Sequence, residues 1–164
     1  KNPTKSSGRR LGWRWLRGAS TPFEAWGDPR TETTYALCIY DETGQTPHLA
    51  TALIVPAGGV CANRPCWRVQ GDRVLKYGDK TGAAGGIQRI TLKSGDASRA
   101  AITIGAAGTN LALPAAASAE RFFDQDTRLT VQLVNDAPSG QCWSADFDAP
   151  ARTNTATTFG DRVP

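Results

Sequence analysis

The sequence predicts an all-β fold: an antiparallel β-sandwich, jelly-roll or Ig-like, of eight or nine short strands stapled by disulfides. Three observations carry that expectation. Apolar and polar residues alternate with a period of two in several short segments, the mark of a strand with one buried face. Gly and Pro supply 27 of the 164 residues. They separate those segments at intervals of roughly 8–15 residues, a spacing that suits a sandwich better than βαβ units. Finally, four cysteines, an even number in a β-rich chain, read as a disulfide framework.

Residues 1–10 form a basic arm without a strand or helix signal, 11–147 the β-sandwich domain, and 148–164 a polar tail in which Phe159 is the one large apolar residue. In the domain, Leu11, Trp13 and Trp15 alternate with Gly12, Arg14 and Leu16 and open the first strand. A loop over 18–32 follows, with Pro22, Gly27 and Pro29. Residues 33–41 are rich in β-branched and aromatic side chains and read as a core strand. Asp41-Glu-Thr-Gly44 reads as a turn and 49–55 as the next strand. Short strands at 66–70 and 73–77 break at Gly71-Asp72, and Gly78–Gly86 is a turn region.

Ile87, Ile90 and Leu92 mark another strand, and Ser94-Gly95-Asp96 turns the chain into 100–104, where Ile102 and Ile104 flank Thr103. Gly105–Gly108 reads as a turn. The alanine-rich stretch Ala115–Ala119 is the one place where a short helix is expected. Leu129, Val131 and Leu133 give the clearest alternation, and 142–147 the last strand.

No run of 18 apolar residues occurs, so no segment reads as a membrane-spanning helix. The chain begins at Lys1 and contains no Met, which reads as a mature product after removal of a leader and suggests export. A zinc site needs close ligand pairs, and the gap in Cys61-Ala-Asn-Arg-Pro-Cys66 fits that spacing only loosely, with His48 far away in sequence. Two disulfides are therefore expected. Cys61 and Cys66 can close a small loop between strands, which leaves Cys38 to pair with Cys142.

Net charge is +4, but Lys1, Lys5, Arg9, Arg10, Arg14 and Arg17 place +6 in the first 17 residues with no acid among them. The remaining 13 bases against 15 acids leave a body at −2. A basic arm of this kind suits an anionic partner. Five tryptophans are a high count, and Trp67 and Trp143 each follow a cysteine, which puts Cys and Trp on opposite faces of a strand.

Between Cys66-Trp67 and Cys142-Trp143 run Leu75-Lys-Tyr77, Gly78-Asp-Lys80, Gly86-Ile87, Leu92-Lys-Ser-Gly95, Ala101-Ile-Thr-Ile-Gly105, Leu111-Ala-Leu-Pro114 and Val131-Gln-Leu-Val-Asn135. Over residues 11–162 this series resembles an uncharacterised β-rich domain of hypothetical secreted proteins from myxobacteria-like bacteria, with paired Cys-Trp strands. The resemblance implies export and an all-β fold, and carries no activity, substrate or site residue.

Catalytic motifs are not found. A Ser or Cys nucleophile needs a base, and the single His48 sits in a turn-like Thr-Pro-His. Gly-x-Ser-x-Gly is absent. The acids fall mainly in turn contexts, at Asp41-Glu42, Asp72, Asp79, Asp96 and Asp124-Gln-Asp126, and lack the spacing of an EF-hand. Gly82-Ala-Ala-Gly85-Gly86 and Gly105-Ala-Ala-Gly108 read as hairpin turns rather than phosphate loops.

The functional expectation is a non-enzymatic structural subunit of an extracellular or cell-surface structure (a filament, tube or sheath), with no cofactor. Lys1, Lys5, Arg9, Arg10, Trp13, Arg14 and Trp15 form the expected assembly interface, docking on acidic loops of a neighbour at Glu24, Asp28, Glu32, Asp41 and Glu42. The expected partners are further copies or other extracellular proteins, not nucleic acid. The alternative is a secreted polysaccharide-binding module with an exposed aromatic face.

Overall fold

The computed structural model describes residues 1–3 and 5–162. Thr4 of the arm and residues 163 and 164 of the tail lie outside the described residues. The chain is all-β, with strands β1 (Arg10–Gly18), β2 (Tyr35–Thr43), β3 (Thr46–Val55), β4 (Val60–Cys61), β5 (Arg64–Pro65), β6 (Trp67–Gln70) and β7 (Val74–Gly78). Then follow β8 (Ile87–Lys93), β9 (Ala100–Ala107), β10 (Arg128–Asn135), β11 (Cys142–Asp148), β12 (Thr153–Thr155) and β13 (Thr158–Gly160).

Nine of these strands build two antiparallel sheets. One has the order β1-β9-β8-β7-β6, the other β11-β10-β2-β3. The two short ribbons are β4-β5 and β12-β13. The period-two patterns are resolved as inner and outer faces. Leu129, Val131 and Leu133 of β10 and Tyr35, Leu37 and Ile39 of β2 point inward and are buried. They meet Leu75, Ile90, Leu92, Ile102 and Ile104 of the opposite sheet in one core. Burial of such side chains stabilises by about 1.5–3 kcal/mol each before chain entropy is counted.

Two sets of aromatic rings pack in this core, one at β6 and one at β11, each a terminal strand of its sheet. Trp67 lies between Tyr35 and Tyr77, with centroids 5.5 Å and 5.1 Å away. Trp26, in the loop before β2, stacks on Trp143 at 4.4 Å and donates its indole N–H to Ser94 Oγ at 2.8 Å. Tyr35 donates to the Trp26 carbonyl and Asn135 to the Ala25 carbonyl, so the loop over 18–32 is bonded into the core. Burial pushes the Tyr35 hydroxyl well above its ordinary pKa, so it stays a donor.

Three local expectations change. The turn at 41–44 is instead a two-residue hairpin turn at Gly44-Gln45, both at positive φ, and β2 runs on to Thr43 opposite Thr46. β9 continues to Ala107, through the glycine expected to start a turn. Ala115–Ala119 is not helical. Five residues after a proline are too few to nucleate a helix, and the Ala117 and Ser118 N–H groups donate to the Phe122 and Arg121 carbonyls in a tight loop. The Asn154 side chain bonds the main chain of Phe122 and Phe123, and Phe159 packs on Phe123, so the tail is docked on that loop.

Candidate functional site

Cys61 and Cys66 form the expected small-loop disulfide, around the two-residue turn Ala62-Asn63. The second expected bridge is not formed: Cys38 and Cys142 are free thiols. Both lie on the four-stranded sheet with β10 between them, since Gln132 pairs with Cys38 on one side and Ser144 on the other. Two strand spacings make roughly 9.5 Å, beyond the ~7 Å over which Cα atoms can be bridged. Burial raises both thiol pKa values.

The basic arm is bonded to its own domain. The Lys1 amino group donates to the Arg10 carbonyl at 2.8 Å, and the Arg10 N–H donates back at 3.0 Å. The Arg9 guanidinium donates to Asn2 Oδ1 and to the Leu111 carbonyl. Lys5 is exposed beside a 3-10 turn at Ser6–Gly8. Of the acids expected to receive the arm, Asp28 is paired with Arg30, whose hydrogen bonds hold the Asp28 carboxyl below its usual range. Asp41 accepts from the N–H groups of Asp124 and Gln125, and Glu42 pairs with Arg128 and accepts from Thr127.

Trp13, Arg14 and Trp15 are brought to a different place, an open side of the sandwich. There β1 and β11 are the terminal strands of their sheets, and a cleft of about 1310 Å³ runs between them. Residues 12–18 of β1 and 144–148 of β11 line it without a break. Successive strand residues point to opposite faces, so an unbroken run along a cleft means that the cleft follows the main-chain edge itself. Ala19, Arg89 of β8, Thr103 and Ile104 of β9, Asp161 and Arg162 complete its walls.

The edge groups can be assigned. Arg10 exchanges its N–H and C=O bonds with Lys1 rather than with β9, so Gly12 and Arg14 also turn theirs away from β9. On β11, Asn135 of β10 donates to Gln141 and Ala149 donates to Thr127, so the intervening Ser144 and Asp146 turn theirs away from β10. Among the described residues none of these four finds a main-chain partner on that side.

Side chains fall into two sets. Trp13 faces inward and is buried, yet its Nε1 has no hydrogen-bond partner among the described residues. Trp15 is half-buried and folds over Gly18. On the outer face Leu16 is 57% exposed, and Arg14, Arg17 and Arg89 make no ion pair among the described residues. Across the cleft Asp146 pairs with Arg128 at 3.8 Å and accepts from the Thr130 hydroxyl at 2.7 Å, and Asp148 reaches Arg128 at 4.0 Å. The cleft is thus basic on the β1 side and acidic on the β11 side.

The sequence points to Trp13, Arg14 and Trp15 and to a strand over 142–147, but not to that strand as the other wall of the site. Its alternation Ala145-Asp146-Phe147-Asp148 was the available signal. Trp67 and Trp143 are both buried, so of the five tryptophans only Trp15 keeps an accessible ring. His48 is exposed on β3 opposite Asp41. Among the described residues no group of three or more His, Cys, Asp and Glu side chains converges as a metal site would require, and no helix is long and apolar enough to cross a membrane. Comparison with protein-family models, with curated proteins and with solved structures gives no match to this chain.

Proposed function

We propose that this chain is a non-enzymatic subunit of an extracellular or cell-surface structure such as a filament, tube or sheath, and that subunits join by strand addition along the β1–β11 cleft. The observation supporting this reading is the pair of open strand edges on one cleft, with main-chain donors and acceptors of Gly12, Arg14, Ser144 and Asp146 turned outward. An unpaired edge is a template for another strand, and the added strand gains main-chain hydrogen bonds from the edge and specificity from alternate side chains. Trp13 and Trp15 would supply apolar burial on the inner side, and Arg14 charge on the outer side. In this reading the N-terminal region takes part through β1 as a receiving edge. The Cys61–Cys66 disulfide agrees with an oxidising compartment.

Negative-stain imaging of the protein purified from its source at physiological salt tests this. Regular multi-subunit assemblies are expected. Dispersed single subunits that shift on glycan affinity gels would overturn it in favour of a polysaccharide-binding module.

A further inference from the structure

We infer that the strand received by β1 is β11 of a second copy of this chain, with the exchange reciprocal across a two-fold axis. The inference rests on the assembly reading above and names its partner. Three features of the cleft carry it.

The first is hydrogen-bond parity. On β1 the outward-turned main-chain groups belong to Gly12 and Arg14, and on β11 to Ser144 and Asp146. All four positions belong to the outer face of their own sheet, where Arg14, Ser144 and Asp146 carry their side chains, because Trp13 and Trp143 on the alternate positions face inward. In an antiparallel pair, residues that exchange hydrogen bonds keep their side chains on one face. β11 laid along a partner's β1 therefore continues the sheet with outer face beside outer face. Trp13 and Trp15 then meet Ala145 and Phe147 on the inner side.

The second is charge. Arg14 faces this pairing without an ion pair of its own, and β11 brings Asp146 and Asp148, the latter with its side chain 78% exposed. Joining β1 to β1 would set arginine near arginine, and joining β11 to β11 would set aspartate near aspartate. Like charges placed opposite one another destabilise a sheet, so β1 with β11 is the favoured union.

The third is placement. Both edges open on the same side of one molecule. Two copies turned about an axis parallel to the strands pair both edges at once, so that the five-stranded sheet of each runs on into the four-stranded sheet of the other. Such an isologous contact leaves neither of these edges open, so in a filament, tube or sheath the pair is the repeating unit and its further contacts use other surfaces. The irregularity between Trp15 and Gly18, with Arg17 at φ +56°, ends the regular edge and limits the pairing to the stretch before it.

Sedimentation equilibrium of the full chain tests the inference, using wild type, Arg14→Asp, Asp146→Arg and an equimolar mixture of the two variants. Both sites are exposed, and far-UV circular dichroism checks that each variant folds. Wild type is expected to dimerise. Each variant should dimerise with a Kd raised about tenfold, because the altered contact occurs twice in the pair. The mixture should recover wild-type affinity, since each reversed charge then meets its complement. If a variant misfolds, the milder Arg14→Gln and Asp146→Asn take its place, with a smaller loss expected. Wild type that stays monomeric at high concentration overturns the self-pairing, as does wild type whose association neither variant alters. In both cases regular assemblies in source material would leave the assembly reading standing; single subunits there would remove both.

Discussion

The Trp15 ring occupies the space that a side chain on Gly18 would need: a Cβ built there falls 1.9 Å from Cη2 and Cζ3 of the indole. The ring is held over the bulge that ends the regular part of β1, on the wall of the cleft. Gly18→Ala must therefore expel the indole or distort the bulge. A loss of about 1–3 kcal/mol in urea unfolding is expected, the usual cost of overpacking, together with a red shift of tryptophan emission as the ring leaves its half-buried seat. Unchanged stability and emission would show that the ring is not held there.

The cysteines give a second expectation. In the chain-entropy model the short loop closed by Cys61 and Cys66 contributes about 2 kcal/mol, which Cys61→Ser with Cys66→Ser should remove. Without reductant, the folded chain should react quickly with an aromatic disulfide reagent at exposed Cys142 and slowly at buried Cys38. In denaturant both should react at once. A denatured, unreduced chain with no titratable thiol would mean that Cys38 and Cys142 are bridged.

The strands of the two main sheets were legible because each has one face in a dry core, and that face forces a period of two, as at Leu129, Val131 and Leu133. The β4-β5 and β12-β13 ribbons were not, because two or three residues, exposed or half-buried and none in the core, leave no alternation to read. The disulfide at Cys61 and Cys66 followed from proximity along the chain, whereas Cys38 and Cys142 depend on strand order, which composition does not encode. The cleft depends on strand order too. Trp13 and Arg14 stood out as an aromatic and basic stretch, but only the sheet topology puts them across from Asp146, more than a hundred residues later.

Asp79 gives a pH dependence with a definite sign. Burial alone would raise its carboxyl. Bonds from the Thr81 hydroxyl and from the N–H groups of Ala83 and Thr81, at 2.6–2.9 Å, nonetheless hold it below the ordinary value. A folded-state pKa below the unfolded one stabilises the fold fully above the unfolded value, roughly pH 4, and less as pH falls through the folded value. Asp79→Asn should cost about 1–3 kcal/mol at pH 7, and the gap to wild type should close under acid conditions. Asp41, raised by burial, works in the opposite sense, and the wild-type to variant difference cancels it. A gap that stays constant from pH 7 down to 2.5 would assign the loss to packing rather than to the charge.

Trp13 and Trp26 form a natural control pair. Both are buried, at 5% and 0% exposure, but the Trp26 indole donates to Ser94 while the Trp13 Nε1 has no partner among the described residues. Replacing either by Phe removes similar ring volume. At Trp26 it also breaks a bond and strands the Ser94 hydroxyl inside the core; at Trp13 it removes a buried donor already without an acceptor. The stability cost at Trp26 should therefore exceed that at Trp13 by about 1–2 kcal/mol in urea unfolding of dilute, dissociated protein. At assembling concentrations the order should narrow or reverse, because Trp13 lines the cleft and its truncation then also removes apolar contact with the entering strand. Equal costs in dilute solution would mean that the Trp13 N–H is already satisfied in the single chain. A gap unchanged by concentration would mean that assembly does not reach it.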